Sequence, residues 1–421
     1  MDINQLLRGG PCSCGKTHTC RIQSVFVAQN AIEHLEKICC DYRNILLVAD
    51  QNTFDAAGEK TVAALREKHL EKVIFSAEKV LVPNEAAIRK VCNHLEGADC
   101  IVGIGSGVIQ DLCKYVSFYR SVPYVIVATA PSMDGYASNG AAMMIGGMKV
   151  TYSAGLPIAI LADTEVIRRA PMEMIKAGYG DIIGKFSALN DWKLSHLVNG
   201  EYFCPYIYDM TYAQIQKALS LSDGILKRNE ESIRALMEAL IIIGILMSFA
   251  GSSRPASGSE HHLSHFFEVT GILNGTPYFP HGIDVAYSTV ITAKLRKKIL
   301  SHPFPSEIYR PSAENYTKIM KRIYQSAAEG CIALQKKSGN YSVERSYLQK
   351  EDGIRRILEE MPTEEELVRM LSAVELETED FYRLYGKETI ENAILYAKDL
   401  KDRYTVLWLY YDFFGGDSYV Q

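Results

Sequence analysis

Four of the ten histidines fall within 21 residues, in Glu260-His261-His262-Leu263-Ser264-His265 and, further on, Pro280-His281-Gly282. Histidine is the commonest protein ligand of first-row metals and titrates near neutrality. The spacing of His261 and His265 puts both on one face of a helix, a turn apart. Gly282 lets the chain turn sharply beside His281. The stretch carries no thiol, so the pattern predicts a catalytic metal site rather than a closed structural one. Upstream, Gly178-Tyr179-Gly180-Asp181-Ile182-Ile183-Gly184-Lys185 sets one acid into an otherwise apolar helical segment. Such an acid is either a buried structural group or a metal ligand. With His261 and His281 it makes an Asp-His-His set that leaves positions open for substrate oxygens.

A second constellation is Gly103-Ile104-Gly105-Ser106-Gly107-Val108-Ile109, which follows a buried apolar run and opens a helix. Glycines there let backbone approach a ligand, and the unpaired amides of a helix start favour an anion such as a dinucleotide pyrophosphate. The spacing is not G-x-G-x-x-G, so this is not the common dinucleotide fingerprint. Asp50 closes the first strong strand, where an acid either accepts from a ribose hydroxyl or caps the following helix. Thr129-Ala130-Pro131-Ser132-Met133-Asp134 and Ser138 follow the next strand, at the sheet edge where ligands bind in such folds. Near the N-terminus, Cys12, Cys14, His18 and Cys20 have the residue types of a zinc site. Their spacing is not that of the common fingers, and the segment reads as a turn carrying reduced thiols.

The elements that position these groups change texture midway. From residue 24 to about 162, strand and helix signals alternate: strands over 44–50, 72–76, 99–106, 123–131 and 158–163, helices over 54–70, from Asn84 and over 108–119, and a β-hairpin over 141–154. Repeated βα units imply a parallel sheet with helices on both faces. Beyond 163 strand signals almost vanish and 3.6-residue periodicity takes over, in 172–198, 212–217, 230–249, 285–300, 313–336, 364–372 and 390–400. The expectation is an α/β nucleotide-binding domain over 1–163 and an all-α domain over 164–421 that holds metal and substrate. The stretch 337–362 reads as a charged surface connection.

A net charge of −5 without long charged runs argues against nucleic acid as the main partner, and leaves an anionic substrate possible through a locally basic pocket. The first twenty residues lack a signal peptide's apolar core, and the longest apolar run, 239–250, is too short to span a bilayer. The expectation is a cytoplasmic protein with reduced thiols and no membrane partner.

Five segments in this order, GIGSGVIQDLCKY, TAPSMDGYAS, GYGDIIGK, SGSEHHLSH and PHG, resemble those of the sn-glycerol-1-phosphate dehydrogenases. That family stands within the group of glycerol dehydrogenases, iron-dependent alcohol dehydrogenases and dehydroquinate synthases. The resemblance runs from about residue 24 onward and is nearest to the bacterial branch associated with arabinose operons. It implies the group's two-domain fold and reversible reduction of dihydroxyacetone phosphate by NAD(P)H. It implies NAD(H) or NADP(H) at Gly105, Ser106, Gly107, Val108, Ile109, Thr129, Ala130, Pro131, Ser132 and Ser138, to which the strand-end reading adds Asp50 toward the ribose. It implies substrate at Asp134, and zinc or nickel on Asp181, His261 and His281. His265 would reach the substrate as a catalytic group, and Asp181 could serve both metal and substrate. A small phosphorylated substrate, a homo-oligomer such as a dimer, and a place in phospholipid metabolism are implied in the same way. Lys149 and Lys185 are candidates for the phosphate. A polyol dehydrogenase without a phosphate requirement and a dehydroquinate synthase-like lyase remain the alternatives. Nothing in the resemblance covers the N-terminal cysteines or 337–362.

Overall fold

The structure is a computed structural model that describes residues 2–146 and 148–415. Its strands, in chain order, are β1 Gly10–Pro11, β2 Thr17–His18, β3 Ser24–Ala28, β4 Asn44–Asp50, β5 His69–Phe75, β6 Cys100–Gly105, β7 Tyr124–Ala128, β8 Gly140–Ile145, β9 Met148–Ser153 and β10 Ala159–Asp163. Six of them form one sheet in the order β3-β10-β7-β6-β4-β5, and every pairing in it is parallel. From β4 the chain goes to β5 on one side and then to β6 on the other, so the order reverses between β4 and β6.

Both faces of this sheet are buried, which is why its strands read as continuous apolar runs rather than alternating ones. Ile45, Leu47 and Ala49 share a core cluster with Val102, Ile104, Val125, Val127 and Leu161. On the opposite face a Cβ at Gly103 would meet Cys113 Sγ at 2.9 Å, so helix Gly107–Arg120 packs there. β8 and β9 form the expected antiparallel hairpin, with Gly146 at φ +58° in its turn. The helix expected over 54–70 is Gln51–Ala64. It starts early because Asp50 caps it, and stops early because β5 begins at His69.

The α/β and all-α textures lie as expected on either side of β10. The compact units divide the chain elsewhere. One comprises residues up to Ile182 together with Gln216–Ser253, the other Ile183–Ile215 and the chain from Arg254 on. Helix Glu230–Ala250 joins the first unit because Gly244 lies against the 134–137 segment, where a Cβ would meet Asp134 O at 2.8 Å. This helix is long and apolar enough to cross a membrane, and 83% of its most apolar window is buried within the protein. Helix Met172–Asn199 runs unbroken through the division.

The stretch 337–362 is not the surface connection expected of it. Tyr347 is buried, Arg345 pairs with Asp412 at 3.5 Å, and helix Glu351–Glu359 buries Ile354 and Leu358. Two apolar residues one turn apart amid charges are enough to dock one face of a short helix, and so sparse a stripe is hard to read in sequence.

Candidate active site

The sheet's carboxyl edge gathers the residues expected around a nucleotide. Ala49 pairs with Ile104, so Asp50 and Gly105 end neighbouring strands at the point where strand order reverses. Open α/β sheets bind ligands at such a point. The Thr129 N–H donates to Gly105 O at 3.1 Å, which ties the 129–138 segment to the glycine turn. Asp50 acts as a helix cap: its Oδ1 accepts from Thr53 N at 2.9 Å, and Thr53 Oγ1 accepts from Asp50 N at 3.1 Å. One carboxylate oxygen is therefore committed to the fold.

The three glycines of the turn differ in what surrounds them. A Cβ at Gly103 would press on Cys113, and one at Gly105 would stand 2.5 Å from Ile109 Cβ. A Cβ at Gly107 would meet only Met133 atoms, at 3.8 Å. Gly103 and Gly105 are thus glycine for packing, whereas Gly107 faces space. Ser106 precedes this helix without giving it a side-chain cap. Val108 and Ile109 follow in its first turn.

Lys114, which the sequence reading passed over, holds the next loop. Fully buried, its Nζ donates to Gly135 O and Gly140 O at 2.8 Å each and reaches Ser138 Oγ at 3.4 Å. Burial lowers its affinity for a proton, and Asp111 at 3.5 Å works the other way. Ser138 Oγ also donates to Gly135 O at 3.1 Å, and Tyr136 OH donates to Ala130 O at 2.7 Å. A lysine in the middle of helix Gly107–Arg120 looks like a surface cation in sequence, because its acceptors are carbonyls a score of residues away.

Helix Met172–Asn199 explains the glycines of GYGDIIGK. A Cβ at Gly178 would lie 1.8 Å from Pro131 O. Three residues on, Asp181 Oδ2 accepts from Asp134 N at 2.9 Å. Three further, a Cβ at Gly184 would meet Val285 Cγ1 at 2.4 Å and Glu260 Cγ at 3.4 Å. Positions 178, 181 and 184 share one helix face, so each glycine is a point of close approach and the acid stands between them.

The histidines meet within the second unit. Ring centroids lie 5.1 Å apart for His261 and His281, 5.4 Å for His265 and His281, and 6.3 Å for His261 and His265. His261 and His265 stand on helix Ser259–Asn274, and His281 opens helix His281–Leu300. The latter lies alongside Met172–Asn199: Thr292 Oγ1 donates to Ser187 Oγ at 3.1 Å, and Arg296 Nε donates to Asn190 Oδ1 at 2.8 Å. His261 and His281 each offer a ligand atom within 4.8 Å of the other. His265 is not in that group.

Two further side chains orient the rings. Glu260 Oε1 accepts from His261 Nδ1 at 2.7 Å, and Ser264 Oγ lies 3.1 Å from His281 Nδ1. With Nδ1 engaged on each ring, Nε2 is left to bind a metal, as second-shell partners commonly arrange. Burial raises the proton affinity of Glu260, against which the Gly258 N–H, the Ser187 hydroxyl and the charge of buried Lys185 act. Lys185 is thus engaged electrostatically with Glu260, and the side chain of Lys149 lies outside the described residues. The fourth histidine, His262, is buried among Lys401, Arg403 and Arg254. Burial above all pushes its imidazole well below the ordinary range, so it stays neutral. Glu260 and Ser264 were legible only as neighbours of histidine; nothing in their spacing marks them as orienting groups.

Two imidazoles with open positions beside them suit zinc, nickel or iron and do not choose among them. Residues 26–171 match the model of the family described as iron-containing alcohol dehydrogenase. A glycerol-1-phosphate dehydrogenase (NAD(P)+) of Halalkalibacterium halodurans is 34% identical over 308 residues, covering 70% of this chain and 77% of that one. The enzyme of the same name from Bacillus licheniformis is 29% identical over 412 residues, 94% of this chain and 91% of its own. Among solved structures, the iron-containing alcohol dehydrogenase of Thermococcus thioreducens aligns over 95% of this chain and 100% of its own, with a TM-score of 0.63 and 14% identity. At that identity the likeness speaks for the fold alone.

Proposed function

The chain belongs to the glycerol-1-phosphate dehydrogenase (NAD(P)+) family, and from that premise we propose that it reduces dihydroxyacetone phosphate reversibly to sn-glycerol 1-phosphate. The observation that carries this reading is the pair His261 and His281, with ligand atoms within 4.8 Å, in a chain so similar to those enzymes.

In this reading a bound divalent cation supplies Lewis-acid polarisation of the substrate's C2 oxygen, and a nicotinamide dinucleotide supplies or accepts the hydride at C2. Asp181, His261 and His281 hold the cation. Gly107 and the helix start behind it leave room for the pyrophosphate, and Thr129 to Ser132, with Ser138, line the nicotinamide end. Asp50 completes the nucleotide side with the carboxylate oxygen its cap does not use. Asp134 orients substrate hydroxyls. His265 gives a proton to the C2 oxygen in reduction and takes it back in oxidation. NAD(P)H, the ketone and one proton thus become NAD(P)+ and the alcohol. The same reading takes zinc or nickel as the cation, a cytoplasmic homodimer as the working form, and a phospholipid precursor as the product.

The test is oxidation of NADH and NADPH by metal-stripped protein, with zinc or nickel added back, on dihydroxyacetone phosphate and on dihydroxyacetone. Metal-dependent turnover of the phosphorylated ketone is the expected result. Equal efficiency on both ketones would point to a polyol dehydrogenase, and no net change in NADH would remove the redox reading altogether.

A further inference from the structure

The N-terminal cysteines sit on a turn, as their spacing suggests, and the turn is a closed hairpin. β1 and β2 pair antiparallel, Gly10 with His18 and Pro11 with Thr17. The intervening turn is closed by Cys12 N donating to Lys16 O at 2.9 Å and Gly15 N donating to Cys12 O at 3.0 Å. Gly15 has φ +85°, a conformation glycine adopts without strain, so Cys14 and Gly15 form a tight knuckle. Gly9, at φ +59°, lets the first strand pass His18, since a Cβ there would stand 2.0 Å from His18 O.

This hairpin brings three metal-type ligands together. The ligand atoms of Cys12, Cys14 and His18 lie within 4.8 Å of one another, and Cys14 Sγ is 3.6 Å from His18 Nε2. A tetrahedral zinc with ordinary Zn–S and Zn–N bonds separates sulfur and nitrogen ligands by about 3.6 Å. His18 is 3% exposed, with its ring stacked on Phe249 at 5.2 Å and its Nδ1 3.1 Å from Phe249 O. A carbonyl can only accept, so Nδ1 carries the proton and Nε2 presents its lone pair toward Cys14. That is the tautomer a metal requires, held by the kind of partner that metal-binding histidines use. Cys20, which the sequence pattern offered with them, is not in that group.

We propose that Cys12, Cys14 and His18 bind one zinc ion. Two thiolates and one imidazole on one small hairpin would tie its turn to its second strand, so the ion serves the fold. Reduced thiols clustered with a histidine fit metal binding better than a disulfide framework. The proposal is independent of the enzyme's reaction.

The test is made on the full-length protein purified without chelator. Zinc released by a thiol-specific mercurial is expected at one equivalent per chain, and a Cys12→Ser/Cys14→Ser double variant is expected to lose that equivalent. Cobalt substitution adds a signature that folding alone does not give. The wild-type protein and His281→Ala should both show intense thiolate-to-cobalt charge-transfer absorption with tetrahedral d–d bands, and His18→Ala should weaken them. If the double variant fails to fold, the wild-type cobalt spectrum still decides. Wild-type protein that releases no zinc to the mercurial and shows no thiolate-to-cobalt band overturns the site. So does modification of the cysteines as a Cys12–Cys14 disulfide in freshly isolated protein.

Discussion

His265 shares a helix with His261 and a cluster with His281, yet stands outside the group whose ligand atoms converge. Its role and theirs therefore separate by mutation. His281→Ala is expected to abolish metal retention and activity together, whereas His265→Ala keeps the metal and loses turnover or substrate affinity. Elemental analysis beside steady-state kinetics reads both. Metal loss in His265→Ala as large as in His281→Ala would make it a fourth ligand. Glu260 acts one bond further out, through His261 Nδ1 at 2.7 Å. Glu260→Gln is expected to weaken metal affinity by roughly 10–100-fold, the usual cost of losing an orienting carboxylate. Competition with a calibrated chelator measures this. An unchanged affinity would reduce Glu260 to a packing group at the helix start.

At the scale of elements, the site is a matter of how closely backbones approach. The glycine turn after β6 shows this best, because its glycines answer to different neighbours. Gly107→Val adds a side chain where the nearest atoms belong to Met133, at 3.8 Å. The fold should accept it, and the expected result is a strong rise in the Michaelis constant for NADH with metal content unchanged. An unchanged constant would make the turn a structural feature only. Gly105→Ala is the contrasting case, since its Cβ meets Ile109 Cβ at 2.5 Å. Overpacking of that kind costs about 1–3 kcal/mol, so its effect should appear first in the unfolding midpoint.

For the whole molecule, helix Glu230–Ala250 is the feature most open to misreading. By length and apolarity it resembles a membrane span, yet Ile241, Ile243 and Ile245 are fully buried within the protein. A core helix predicts a specific cost. Ile243→Ala should lower the free energy of unfolding by about 2–5 kcal/mol, the range for deleting a large aliphatic side chain from a packed interior. Urea unfolding followed by circular dichroism checks it. A loss below about 0.5 kcal/mol would be that of a surface position, and the helix would then not be part of the core.

The sequence by itself determined the parts that rest on local rules. Buried parallel strands announce themselves as branched apolar runs, because both faces of the sheet are covered. Asn84 caps its helix as read, accepting from Ala86 N and Ala87 N. The histidine spacing, the glycine turn and the acid of GYGDIIGK were all visible as residue types at helical or turn intervals. What only the tertiary structure decided is which of these groups converge, because convergence depends on contacts between residues far apart in the chain. Asp50 was legible as an acid at a strand end, but its commitment as a helix cap appears only with the backbone in place. Lys114 looks like an ordinary surface cation until three loop oxygens close around it. Cys20 follows His18 by two residues and looks its equal in sequence, yet it is Cys12, Cys14 and His18 whose ligand atoms the hairpin brings together. Ligand chemistry is written in residue types, but a coordination shell is closed by the fold.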